Sequence, residues 1–144
     1  MTMKKILVAL DSSPIAPKVL AEAALFAQSF GAELVLLRAV GLPTELPPEA
    51  FAMAPDNVTT LLFEAAEKDL ATLASALPAE LKTRRVVRVG TAWRVVCDVA
   101  DEESADLILI GAHGHRFIDR VLGTTTQRVV SHTERSVYIA RPKG

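Results

Sequence analysis

A chain of 144 residues, half of them hydrophobic and 23% charged, is long enough to bury a core without staples and reads as one domain spanning residues 1–144. Its 16 basic and 17 acidic residues leave a net charge of −1, which removes any electrostatic reason to expect nucleic acid or an anionic membrane as a partner. The single cysteine, Cys97, has no internal disulfide partner, as suits a reducing, cytoplasmic setting.

The start, "MTMKKILVALDSS", places lysines before an apolar run. That run, Ile6 to Leu10, is five residues long and ends at Asp11, too short for a signal-peptide core or a membrane span. "KKILVAL" (4–10) lacks period-2 alternation, as expected of a strand covered on both faces. Pro14 and Pro17 follow, suited to the first turn of a helix, whose inward residues would be Leu20, Ala24 and Ala27 flanked by Val19, Ala23, Phe26 and Phe30. Gly31 ends that helix, and "ELVLLRAV" (33–40) is a second buried strand. Residues 41–57 hold four prolines and read as a long irregular connection, with Asp56 or Asn57 capping the next helix.

In that helix Leu62, Ala66, Leu70, Leu73 and Leu77 form a stripe, with Glu64 and Lys68 paired at i,i+4 on the exposed side and Pro78 at the end. "RRVVRVG" (84–90) alternates Val87 and Val89 with Arg84 and Arg88, the pattern of a strand near a sheet edge. A helix over 91–104 carries Trp93, Val96, Cys97 and Ala100 inward. "ADLILIG" (105–111) is the most apolar strand and is expected at the centre of the sheet. A last helix (124–133) and strand (136–142) complete the chain.

Strands alternating with helices, each strand apolar throughout, define an α/β protein with a parallel sheet between helical layers. In such sheets ligands bind beyond the carboxyl ends of the strands, where the strand order reverses. That rule marks Asp11, Val40 and the segment beginning at Gly111. Phosphate binding needs converging backbone N–H groups, preferably at a helix N-terminus. Gly111 and Gly114 permit close approach of a ligand, and Gly123-Thr124-Thr125-Thr126 supplies hydroxyls where the last helix begins. The pattern is neither a Walker loop nor a G-x-G-x-x-G fingerprint. Glycine spacing alone leaves two readings open: a phosphate cradle, or a strand-ending glycine followed by a threonine-capped helix.

"KKILVALDSS", "ADLILIGAHG", "LGTTTQRVVSH" and "RSVYIARP", in that order over nearly the whole chain, resemble universal stress protein domains. The resemblance implies a three-layer α/β/α fold with a five-stranded parallel sheet of order 3-2-1-4-5, of the adenine nucleotide alpha-hydrolase-like group. It also implies a cytoplasmic homodimer paired through the last strand, here 136–141. The ATP-binding branch of the family carries G-x2-G-x9-G-(S/T). This chain has Gly111, Gly114 and Gly123-Thr124 with a second gap of eight, a shortening also found in some nucleotide-binding relatives.

By matching position, Asp11 and Ser12 would contact adenosine, with Ala9 and Leu10 lining the base and Val40 bounding it. Gly111, His113 and Gly114 would follow the ribose and first phosphates. Gly123, Thr124, Thr125 and Thr126 would hold the outer phosphates, with Mg²⁺ shared between ATP and protein. The implied function is a stress-response module in which ATP orders segment 111–126 and biases a dimer or partner surface, with slow hydrolysis at most. The competing readings are a dimeric interaction protein that binds no nucleotide and, third, a slow ATPase.

Other residues carry less. His113, His115 and His132 lack metal-ligand spacing, and no metal site is expected. Asp119 beside Arg120 reads as a solvated pair, and no catalytic constellation stands out. Arg116, Arg120 and Arg128 are each either phosphate partners or surface charges. Trp93 reads as core or dimer packing, and Cys97 as a small buried helix residue.

Overall fold

The structure, a computed structural model, describes residues 2–41, 55–113 and 122–142. Five strands, β1 (Lys5–Ala9), β2 (Glu33–Val40), β3 (Thr83–Val89), β4 (Leu107–Gly111) and β5 (Ser136–Ala140), alternate with helices α1 (Ala16–Phe30), α2 (Pro55–Ala74), α3 (Ala92–Glu102) and α4 (Thr124–His132). The strands form one parallel sheet in the order β3-β2-β1-β4-β5. This is the order implied by the family resemblance.

The register explains the unbroken apolar runs. Leu7 of β1 stands level with Val35 and Ile108, and all three face one core with Val95, Val96 and Val99 of α3 and Val129 of α4. Val8 stands level with Leu36 and Leu109, and these face the opposite core with Val19, Leu20 and Ala23 of α1 and Leu70 of α2. The interior strands are therefore apolar along most of their length, because both of their faces are covered.

Three sequence expectations need correction. β1, not β4, is the central strand; both are flanked on two sides, and apolarity alone does not rank them. α2 begins at Pro55, so Asp56 and Asn57 fall inside its first turn instead of capping it; the helix ends at Ala74, ahead of Pro78. β3 lies at the edge as expected, but Val86 and Val87 pack against opposite cores while Val89 is exposed. The 42–54 part of the proline-rich connection lies outside the described residues.

Chain reversals follow from local chemistry. Pro17 sits in the first turn of α1, and Gly31 closes the helix in the left-handed region at φ 65°, with the Ala32 N–H donating to the Ala27 carbonyl at 2.8 Å. Gly90, between β3 and α3, has φ 151°, and an added Cβ would stand 2.9 Å from Val95 Cγ2. Gly90→Ala is therefore expected to cost about 1–3 kcal/mol in denaturant unfolding.

At the amino end of the sheet, the Lys4 and Lys5 N–H groups donate to one carboxylate oxygen of Asp106 at 2.8 and 3.0 Å, tying β1 to the start of β4. The Lys4 amide, then the Lys5 amide, hold the Asp106 carboxyl below its ordinary range. With the folded pKa below the unfolded one, the stabilisation is complete above the unfolded value of about 3.9 and is lost as pH falls through the folded value. Asp106→Asn is expected to lower stability modestly at pH 7. Its unfolding curve should converge with that of the wild type as the pH drops below about 4.

Candidate functional site

The strand order reverses between β1 and β4, since β1 connects to β2 on one side while β4 lies on the other. A cleft of about 560 Å³ opens there, at the carboxyl ends of the strands. Its size falls within the roughly 300–1,000 Å³ of small-ligand sites.

Three groups of the sequence-predicted residues meet in this cleft. Ala9, Leu10 and Asp11 come from the end of β1, Gly111 and His113 from the end of β4, and Gly123, Thr124, Thr125 and Thr126 from the start of α4. Ser12 and Val40 do not line it. By strand alternation Val40 faces away from the side that Ala39 presents, and Leu37 and Ala39 form the β2 wall instead. Gly114, together with His115, Arg116, Asp119 and Arg120, lies outside the described residues.

The start of α4 is built to leave its amides open. Gly123 is the N-cap in an extended conformation (φ −61°, ψ 156°), and among the described residues no side-chain cap bond is made to the first turn. The threonine cap allowed for in the sequence is not formed; Thr124, Thr125 and Thr126 are the first three helical residues. In an α-helix those N–H groups have no carbonyl partner within the helix, and they carry its partial positive charge. Thr124, Thr125 and Thr126 line the same cleft as Asp11.

The two ends of the glycine segment are fastened to each other. The Thr126 hydroxyl, 3% exposed, donates to the Gly111 carbonyl at 2.7 Å, and the Gly123 N–H donates to the Ala112 carbonyl at 2.8 Å. Thr126 thus spends its hydroxyl proton on the scaffold, leaving Thr124 and Thr125 as the hydroxyl donors available from α4. Gly111 has a packing reason as well, because a Cβ there would stand 3.2 Å from Val19 Cγ2 of α1.

At the other end, Asp11 is held by two bonds. One carboxylate oxygen accepts the Ser13 N–H at 2.9 Å, and its carbonyl accepts Arg38 Nη1 at 3.1 Å. A carboxylate accepts hydrogen bonds from hydroxyl or amine groups and repels phosphate, whereas the first turn of α4 suits an anion, so the cleft lining carries polar groups of opposite sense.

Sequence reading missed the apolar walls. Ala92 and Val96 of α3 form one side, Ile15, Ala16 and Val19 of α1 another, and Ile110 the floor. Ala92 and Val96 are an i,i+4 pair, a signal visible in the sequence, but which neighbour they face is set by tertiary packing. Several other residues prove to lie elsewhere. The Trp93 ring packs 4.3 Å from that of His132, and the Arg128 guanidinium lies 5.9 Å from the Trp93 centroid, away from the cleft lining. His132 Nδ1–H donates to the Arg128 carbonyl at 2.7 Å. Burial pushes the half-buried Cys97 thiol up, with Asp101 and Asp98 adding to the shift, so it stays a thiol at neutral pH.

A doubly wound parallel sheet with an anion-suited helix terminus at its switch point defines the class: an α/β protein with a small-ligand cleft at the carboxyl ends of its strands. The model of the universal stress protein family matches residues 2–141, and the chain belongs to that family. It is 32% identical to universal stress protein A homolog 2 of Coxiella burnetii, over 98% of this chain and 97% of that protein. The structure of the universal stress protein UspA from Lactobacillus plantarum superposes with a TM-score of 0.77 at 28% identity, covering 98% of this chain and 99% of the other. The universal stress protein of Archaeoglobus fulgidus in complex with dAMP superposes at 0.59 with 19% identity, covering 96% and 98%. Among the described residues no helix is long and apolar enough to cross a membrane.

Proposed function

We propose that this protein is a cytoplasmic adenine-nucleotide-binding module, with ATP as its ligand, that acts through conformation and a dimer or partner surface. The observation that carries this reading is the convergence of Asp11, the Gly111 end of β4 and the uncapped first turn of α4 on one cleft at the switch point. The apolar walls Ala39, Ala92, Val96 and Ile110 suit a flat aromatic base. Asp11 suits donors of the adenosine, and the open amides with Thr124 and Thr125 suit phosphate. The dAMP complex of the Archaeoglobus protein, whose fold this chain shares, supports an adenine nucleotide as the ligand class.

Mg²⁺ would arrive with the triphosphate, its coordination completed by phosphate oxygens and the Thr124 and Thr125 hydroxyls. Any turnover by ATP hydrolysis is expected to be slow. The dimer belongs to the same proposal. β5 is an edge strand, and the ring of the exposed Tyr138 on it lies 4.6 Å from that of Phe26, which stacks on the exposed Phe30. Such an edge with apolar neighbours suits pairing with a second copy.

The reading is tested by thermal unfolding with and without ATP and Mg²⁺. Ligand at about 100 times its Kd is expected to add about 2.7 kcal/mol of stability, a rise of several degrees in Tm. An unchanged Tm with ATP, ADP and AMP at millimolar concentrations would favour an interaction protein that binds no nucleotide.

A further inference from the structure

Arg38 is an anomaly in its strand. It follows Val35, Leu36 and Leu37 in β2, yet it is a charged side chain with only 11% of its surface exposed. A guanidinium so placed needs its donors satisfied. Its two terminal nitrogens go in different directions: Nη1 donates to the Asp11 carbonyl at 3.1 Å, and Nη2 pairs with Asp69 Oδ2 of α2 at 3.1 Å. Arg38 itself does not line the cleft, whereas Asp11 does. The arginine therefore holds the backbone of a cleft-lining residue without lining the cleft itself.

We infer that Arg38, anchored by Asp69, is a positioning residue that fixes Asp11 for recognition of the adenosine end of the ligand, an inference that rests on the nucleotide reading of the cleft. Two bonds define where that carboxylate stands. The Ser13 N–H on Oδ1 sets the side-chain rotamer, and the Arg38 guanidinium on the carbonyl sets the main chain beneath it. The strut spans three elements, since Asp69 belongs to α2, Arg38 to β2 and Asp11 to the turn leading into α1. A rigid fork joining two fixed acceptors is something arginine provides and lysine does not. Without it the turn is free to sample other positions, and ordering it must be completed when ligand binds, which lowers affinity.

The two ends of the cleft allow this to be separated from general damage. Inorganic tripolyphosphate engages only the α4 end, whereas AMP and ATP also engage Asp11. Titration calorimetry of wild type, Arg38→Met, Asp69→Asn and Asp11→Ala with ATP, AMP and tripolyphosphate is the test. Arg38→Met is expected to weaken ATP and AMP by about tenfold and leave tripolyphosphate within about twofold. Asp69→Asn, at a position 55% exposed and so tolerant of change, should show the same pattern at about threefold. In an Asp11→Ala background, Arg38→Met should cost little more, because its effect passes through that carboxylate.

Equal loss for all three ligands in both Arg38→Met and Asp69→Asn would overturn the inference, as would unchanged nucleotide affinity in both. Wild-type protein that binds tripolyphosphate but no nucleotide, or neither, would overturn the nucleotide reading and this inference together.

Discussion

A Thr125→Glu protein is expected to lose nucleotide binding by at least about 100-fold while unfolding at the same temperature as the wild type or slightly above it. Thr125 is the second helical residue of α4 and lines the cleft where the first-turn amides are open. A carboxylate there would sit in the space assigned to phosphate and would itself pair with those amides, competing with the ligand and repelling it. The same charge at a helix N-terminus favours the helix by about 0.3–1 kcal/mol. Function and stability therefore move in opposite directions, and loss of fold does not explain the loss of binding. Calorimetric titration beside a thermal scan checks both. Wild-type affinity in this variant would remove α4 as the phosphate end of the site.

Leu7→Ala is expected to carry the largest cost to stability, about 2–5 kcal/mol by denaturant unfolding. Leu7 is fully buried on the central strand, level with Val35 on one side and Ile108 on the other, and faces the α3 and α4 layer. Neither neighbouring strand can close the void, because both are held by the ladder on each side, so the cavity persists. Domains of this kind have about 5–15 kcal/mol in total, so the variant should lose a large share of its stability. A cost below about 1 kcal/mol would mean that this layer of the core is packed more loosely than the register implies.

The parts of the fold legible in the sequence are those set by local pattern. Short, largely apolar runs without alternation within 4–10, 33–40 and 105–111 announce strands covered on two faces, their length being that of strands and not of buried helices. Pro17 and Gly31 mark the ends of α1 through backbone geometry that is independent of context. What pattern does not carry is which of two apolar strands is central. β1 and β4 are both largely apolar because both are interior, and their order is set by the crossovers and by tertiary packing.

The site divides in the same way. Asp11, Gly111 and the Gly123–Thr126 run are visible because a strand-ending carboxylate, a glycine and a helix start are local features. Ala39 in place of Val40 is not visible, since it depends on which face of β2 turns toward the cleft. Ala92 and Val96 depend on where α3 docks. Arg38 is the instructive case: a charge inside "ELVLLRAV" is a sequence signal in its own right, but its partners lie 27 and 31 residues away. Only the assembled sheet brings Asp11 and Asp69 to it.

The most direct measurement is mass spectrometry of small molecules released by denaturing protein that was purified without added nucleotide, with the Thr125→Glu protein prepared in parallel. ATP, ADP or AMP in near-stoichiometric amount from the wild type, and little from the variant, is the expected result. Wild-type protein that releases none and fails to take up ATP with Mg²⁺ afterwards would contradict the nucleotide assignment and leave the cleft to another ligand.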